Sequence, residues 1–236
     1  MNLAPVAAAD ARLEKTLSQL TDADAAAPSR LPGWTRDLVV THIARNADSN
    51  ALMVAAALRG ESRPQYPGGA EQRAADIEAG RGRPTRELLA DHRKGAALWH
   101  EVFGSVPADR WDAEVHAGVG PRPISQRVHS RLLEVEVHHA DLGLDYTFRD
   151  WPLDFAVDQT ARWLATLSRD AGSGVAGRWT LGEHVVDLGG DADGAVSGDP
   201  RAFLAWLLGR ETFADAGLEV SGDERVTAFP TWFPFP

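Results

Sequence analysis

The chain has 236 residues, 44% of them hydrophobic and 25% charged, which is the make-up of a soluble globular protein with one large domain or two of ordinary size. A formal net charge of −10, from 34 acidic against 24 basic side chains, argues against nucleic acid or an anionic membrane as the main partner, since both reward clustered Lys and Arg. Cysteine is absent, which excludes a disulfide framework, a thiolate metal site and a cysteine nucleophile, so any thiol chemistry must use a thiol brought by a co-substrate.

In chain order, Leu3 to Leu20 is Ala-rich with apolar residues at helical spacing, and Pro28 and Pro32-Gly33 punctuate its end. Thr35 is placed to cap a second long helix, running to about Arg59, that carries His42. Pro64 to Gly69 reads as a loop, and Ala70 to Ala79 as a weaker helix. Pro84-Thr85 opens a helix to about Phe103 with Thr85 as its N-cap, and Pro121 and Pro123 precede a helix from Ile124 to Leu142 that Gly143 terminates. Four long helices with modest connections predict a bundle, the setting in which ligands project inward from different helices.

After Leu144 the pattern changes. Trp151 to Ser168 reads as an amphipathic helix, with Phe155, Trp163, Leu164 and Leu167 as its core face. Gly174 to Gly190 contains an alternating run, Arg178 to Leu188, whose central Gly182 suggests a two-strand hairpin. A strand at Ala195 to Gly198, a helix at Pro200 to Gly209 and a strand at Leu218 to Gly222 follow, and the proline-rich tail Phe229 to Pro236 is expected to be irregular. The expected fold class is α+β, with a helical bundle over residues 1–148 and a smaller α/β domain over 149–236. No apolar stretch has the length of a transmembrane helix, and the start Met1 to Val6 lacks the basic and apolar regions of a signal peptide, so a cytoplasmic location without membrane partners is expected.

The chemistry concentrates in the helix ending at Leu142. Glu134 and His138 are four apart, project from one helix face, and together can grip one ion. His42, on another helix, offers a third ligand. Two imidazoles and one carboxylate leave a coordination position open, the arrangement of catalytic rather than structural zinc. Glu136 and His139, three apart, also share a face. Periodicity leaves both pairs open: Val128, Leu132, Val135 and Leu142 line up with His139, while Leu133, Val137 and Ala140 put His138 at the edge of a second apolar strip. His92, His100, His116, His129 and His184 have no motif around them and read as structural or surface residues.

Three stretches carry a family resemblance: Leu31-Pro-Gly-Trp-Thr-Arg-Asp-Leu-Val-Val-Thr-His-Ile-Ala-Arg-Asn46, Glu134-Val-Glu-Val-His-His-Ala-Asp-Leu-Gly143 and Val196-Ser-Gly-Asp-Pro-Arg-Ala-Phe-Leu-Ala-Trp-Leu-Leu-Gly-Arg210. In them the chain resembles the mycothiol-dependent maleylpyruvate isomerase family, part of the wider group of DinB-like metal-binding four-helix bundles. The resemblance runs over essentially the whole chain and implies a sterol-carrier-like second domain. It also implies that the metal ligands are His42, Glu134 and His138, that Zn2+ and mycothiol are the cofactor and thiol co-substrate, and that Arg210 matches an arginine associated with activity. Asp141, one turn past His138, is placed to orient a ligand imidazole, and His139 reads as a packing residue beside the site.

The activity so implied is cis–trans isomerisation of maleylpyruvate to fumarylpyruvate, in the gentisate route of aromatic breakdown, by reversible thiolate addition. Two other readings accompany it: a mycothiol S-transferase acting on other electrophiles, and a non-catalytic metal-binding or thiol-sensing protein. The segment from Arg59 to Thr85 is Pro/Gly-rich and departs from the family pattern, and its loops are expected to shape the acceptor pocket.

Overall fold

A computed structural model of the chain describes residues 1–117, 120–167, 178–181, 184–187 and 193–224. They divide into two units, Met1–Asp145 and Tyr146–Pro236, one almost entirely helical and the other mixed, which makes the chain α+β.

The first unit contains α1 (Ala4–Leu17), α2 (Asp22–Ala26), α3 (Arg36–Leu58), α4 (Gly69–Glu78), α5 (Thr85–Gly104), the strands β1 (Glu114–Ala117) and β2 (Gly120–Pro123), and α6 (Ile124–Asp141). The long helices close a ring: α3 packs against α5 and α6, and α1 packs against the same two. One apolar cluster gathers Leu13, Leu17, Val39, Ile43, Leu88 and Val135, and a second gathers Val6, Met53, Trp99, Phe103, Ile124 and Val128.

Between these clusters runs a buried polar tie. Arg131, fully buried on α6, donates through Nη1 to the main-chain carbonyl of Ile43 (2.8 Å) and through Nη2 to Asp10 Oδ1 (3.1 Å), so one guanidinium links α6, α3 and α1. His100 Nε2 lies 3.1 Å from the other Asp10 oxygen. Burial pushes the Asp10 carboxyl up, but Arg131 and the His100 hydrogen bond outweigh it and hold the pKa below the ordinary value.

The helix ends follow local chemistry, with two departures from expectation. The first helical stretch stops at Leu17, because Thr21 and Asp24 form a reciprocal capping box that starts the separate α2. Pro84, not Thr85, occupies the N-cap of α5. Asp22 of α2 takes both the Thr85 N–H (2.7 Å) and its hydroxyl (2.9 Å), doing from a distance what a cap side chain does locally. Gly143 ends α6 at φ +67°, a left-handed conformation that suits glycine. Gly80, in the turn after α4, has another reason to lack a side chain: a Cβ there would lie 2.0 Å from Thr41 Oγ1 on α3.

In the second unit, the 3-10 turn Phe148–Asp150 leads into α7 (Leu153–Leu167), then β3 (Arg178–Leu181), β4 (His184–Asp187), β5 (Asp193–Ser197), α8 (Pro200–Leu207) and β6 (Glu219–Gly222). The sheet order among the described residues is β4-β3-β5-β6, with β3 and β5 parallel and the other pairs antiparallel. Asp199 caps α8 by accepting from the Arg201 N–H (2.8 Å), Pro200 occupies the first turn, and the helix packs against α7. The expected helix end at Ser168, the glycines Gly174, Gly182 and Gly190, and the tail from Phe229 lie outside the described residues.

Candidate metal centre

Residue α6 numbering explains why sequence periodicity alone could not choose a ligand pair, because this helix is buried on two sides. On the side facing α1, the Glu136 carboxylate pairs with the Arg12 guanidinium, and His139 Nε2 sits 2.8 Å from the Thr16 hydroxyl. On the side facing α3, Glu134 and His138 meet His42. A rotation of about 100° per residue separates the two rows, so they belong to different packing partners. The geometry puts Glu136 and His139 into the α1 contact and away from His42.

The second donor helix, α3, is buried almost continuously from Asp37 to Ala44, since α2, α4, α5 and α6 all pack around it. His42 is 3% exposed and sits under the edge of Trp34, with ring centroids 5.9 Å apart. Its Nε2 lies 3.0 Å from Glu134 Oε2, and His138 Nε2 lies 3.3 Å from the same oxygen. The two imidazoles stand nearly perpendicular, 87° between planes, with centroids 4.7 Å apart.

This donor set fits a divalent metal. One ligand atom from each of His42, Glu134 and His138 lies within 4.8 Å of the others. In a tetrahedral site with bonds of about 2.05 Å, ligand atoms are separated by roughly 3.3 Å, close to the spacings here. His138 Nδ1 is 2.8 Å from Asp141 Oδ2, so the carboxylate fixes the ring and leaves Nε2 as the donor atom, the usual arrangement behind a metal-binding imidazole.

Electrostatics favours the same protonation states. Burial pushes the Glu134 carboxyl up, but hydrogen bonds from His138 and His42 outweigh it and hold the group well below the usual carboxylate range. Burial lowers the His42 pKa, keeping that ring neutral. For His138, burial also acts downward, but hydrogen bonds to Asp141 and Glu134 prevail and raise its pKa. Glu134 and His42 are thus held in the states a metal would require, and His138 would have to bind one as the neutral ring.

Arg210 lies in the second unit, just past Gly209 (φ +69°), where its Nη1 donates to the Leu208 carbonyl (2.9 Å). Among the other histidines, His92 and His100 serve the polar tie around Asp10, while the main-chain carbonyl of His116 on β1 accepts from the Gln65 N–H (3.1 Å). Arg73 was not foreseen. It reaches from α4 and brings Nη2 to 3.3 Å from His42 Nδ1. No spacing rule links position 73 to position 42, and only the packing of α4 on α3 brings them together.

The family model described as "Mycothiol maleylpyruvate isomerase N-terminal domain" matches residues 6–143, more than half of the chain. A crystal structure of the mycothiol-dependent maleylpyruvate isomerase superposes with a TM-score of 0.76 at 25% identity, covering 94% of this chain and 92% of that one. A histidine-to-alanine mutant of that enzyme superposes equally well, with a TM-score of 0.76 at 24% identity and the same coverage. No curated protein sequence matches the chain. With its bundle matched from α1 to the end of α6, and its fold shared across nearly the whole length of a solved isomerase, the chain belongs to the mycothiol maleylpyruvate isomerase N-terminal domain family.

Proposed function

We propose that the chain is a zinc-dependent, mycothiol-dependent cis–trans isomerase that converts maleylpyruvate to fumarylpyruvate. The observation that carries this reading is the convergence of His42 Nε2, Glu134 Oε2 and His138 Nε2, with Asp141 behind the third, in a chain of this family. The three side chains would hold the ion through two neutral nitrogens and one carboxylate, leaving a position for an incoming thiol. Bound there, a divalent metal lowers the pKa of a coordinating thiol and keeps it as thiolate at neutral pH.

The chemistry then needs a nucleophile and an electron sink. The co-substrate's thiolate adds to one alkene carbon, and the alkene electron pair moves onto the neighbouring ketone as an enolate. The carbon–carbon bond is now single and rotates. The enolate then re-forms the double bond in the trans sense and expels the thiolate, so no atom is gained or lost. The chain has no cysteine to supply this nucleophile. Arg210, a planar two-donor cation, suits a substrate carboxylate or the negative charge on the enolate oxygen.

The test is to load purified protein with zinc and assay it with mycothiol against maleylpyruvate and a panel of neutral electrophiles. Isomerisation that requires both metal and thiol is the expected result. Conjugation of neutral electrophiles without isomerisation would replace this reading with an S-transferase, and metal binding without either activity would leave a non-catalytic metal protein.

A further inference from the structure

A recess of about 540 Å3, including the solvent at its mouth, lies between α3 and the segment from Arg63 to Asp76. Arginines 45, 63 and 73 and the aspartates 48 and 76 line it. Of its carboxylates, Asp48 pairs with Arg45 at 2.9 Å, while Asp76 accepts from the neutral Gln72 amide at 2.8 Å and keeps its charge, which leaves the recess with one more cation than anion. Two of its cations lack an ion-pair partner. Among the described residues neither Arg63 nor Arg73 has a carboxylate within ion-pair distance, and Arg63 Nε is buried without a hydrogen-bond partner. In a chain with ten more negative than positive charges, two guanidiniums left facing one recess call for an anion.

Arg73 also joins this recess to the metal centre. Its guanidinium carbon stands 5.6 Å over the Tyr66 ring, and its Nη2 donates toward His42 Nδ1. That contact requires Nδ1 to be the ring's acceptor. When His42 Nε2 ligates a metal, Nδ1 carries the ring proton and can no longer accept. Arg73 would then lose this partner, and its guanidinium, which lies over the Tyr66 ring, could turn its fork to a ligand in the recess.

We infer that Arg63 and Arg73 form a carboxylate-binding subsite for the acceptor substrate within the first unit, beside the metal centre. This rests on the isomerase reading for the identity of the acceptor, a dicarboxylate. A thiol co-substrate without a carboxylate gives two guanidiniums that lack an ion-pair partner nothing to pair with, whereas a planar carboxylate matches the fork of either.

The experiment is calorimetric titration of zinc-loaded, full-length protein with maleate as the probe, comparing the parent chain with Arg73→Gln, Arg63→Gln and Arg73→Lys, with zinc content measured for each. Maleate is expected to bind the parent chain and to bind both Gln variants about ten- to a hundredfold more weakly, at unchanged zinc content. Arg73→Lys, which keeps the charge but not the fork, is expected to fall between. Maleate binding that is absent from the parent chain, or unchanged in both Gln variants, would overturn the subsite, as would displacement of maleate by equimolar inorganic phosphate. Maleate binding lost in Arg73→Gln, in a protein that fails to isomerise maleylpyruvate, would sink the isomerase reading and leave the subsite standing.

Discussion

Asp141→Asn isolates the contribution of a group that touches the metal site only through a ligand. Asp141 is 1% exposed, and its Oδ2 lies 2.8 Å from His138 Nδ1. The substitution keeps the size and an accepting oxygen, so the ring remains held, but it removes the negative charge that strengthens the bond and enriches the ring opposite. A hydrogen bond to a charged group contributes about 1.5 to 3 kcal/mol against about 1 for a neutral one, so the loss is about 0.5 to 2 kcal/mol. Expressed in the metal dissociation constant, that is about two- to thirtyfold weaker binding. The assay is zinc titration against a competing chelator, with a thermal melt in excess chelator as a measure of the fold alone. The Asp141 main-chain carbonyl, which accepts from the Arg30 N–H at 2.8 Å, is untouched, so the melt should move little by comparison. An unchanged zinc dissociation constant would show that Asp141 does not act on the metal through His138.

The register of α6 is open to a similar test: Glu134→Ala is expected to abolish stoichiometric zinc binding, while Glu136→Ala, which breaks the Arg12 pair, costs stability but retains zinc; equal metal loss from both would refute the assignment. Asp10→Asn strands the buried Arg131 charge and is expected to cost about 3 to 5 kcal/mol in urea unfolding near neutral pH. Because the folded pKa of Asp10 lies below its unfolded value, its contribution is present above about pH 4 and lost as the pH falls through the folded value. The gap between parent and variant should therefore narrow in acid, and a gap that widened would reverse the sign of the argument. Arg210→Lys is expected to lower kcat/KM for maleylpyruvate about ten- to a hundredfold with zinc content and turnover of neutral electrophiles unchanged; a normal rate would make Arg210 a helix-end charge only.

Helices were legible where proline and glycine mark their ends, as at Pro123 before α6 and Gly143 after it. The β1–β2 hairpin was not, because its strands are four residues each and the second contains Pro121 and Pro123, which look like breakers rather than edge-strand residues. The i,i+4 pair on α6 was visible as a candidate. Its choice over Glu136 and His139 came from the family resemblance and not from periodicity, since α1 buries one polar row of the helix and α3 the other, and burial is all that periodicity reports. Arg63 precedes a Pro/Gly-rich loop and Arg73 lies on a weakly patterned helix, and their meaning depends on which carboxylates they fail to meet, a property of three-dimensional packing alone.

Gly80 adds a consequence for how such a protein diversifies. The turn after α4 approaches α3 so closely that a methyl group at position 80 would overlap Thr41, the residue next to His42. The close approach of this turn to α3 thus depends on a missing side chain. A side chain at this glycine would force either the turn or Thr41 out of place. Substitution at a position that carries no functional group can therefore disturb the residue beside His42.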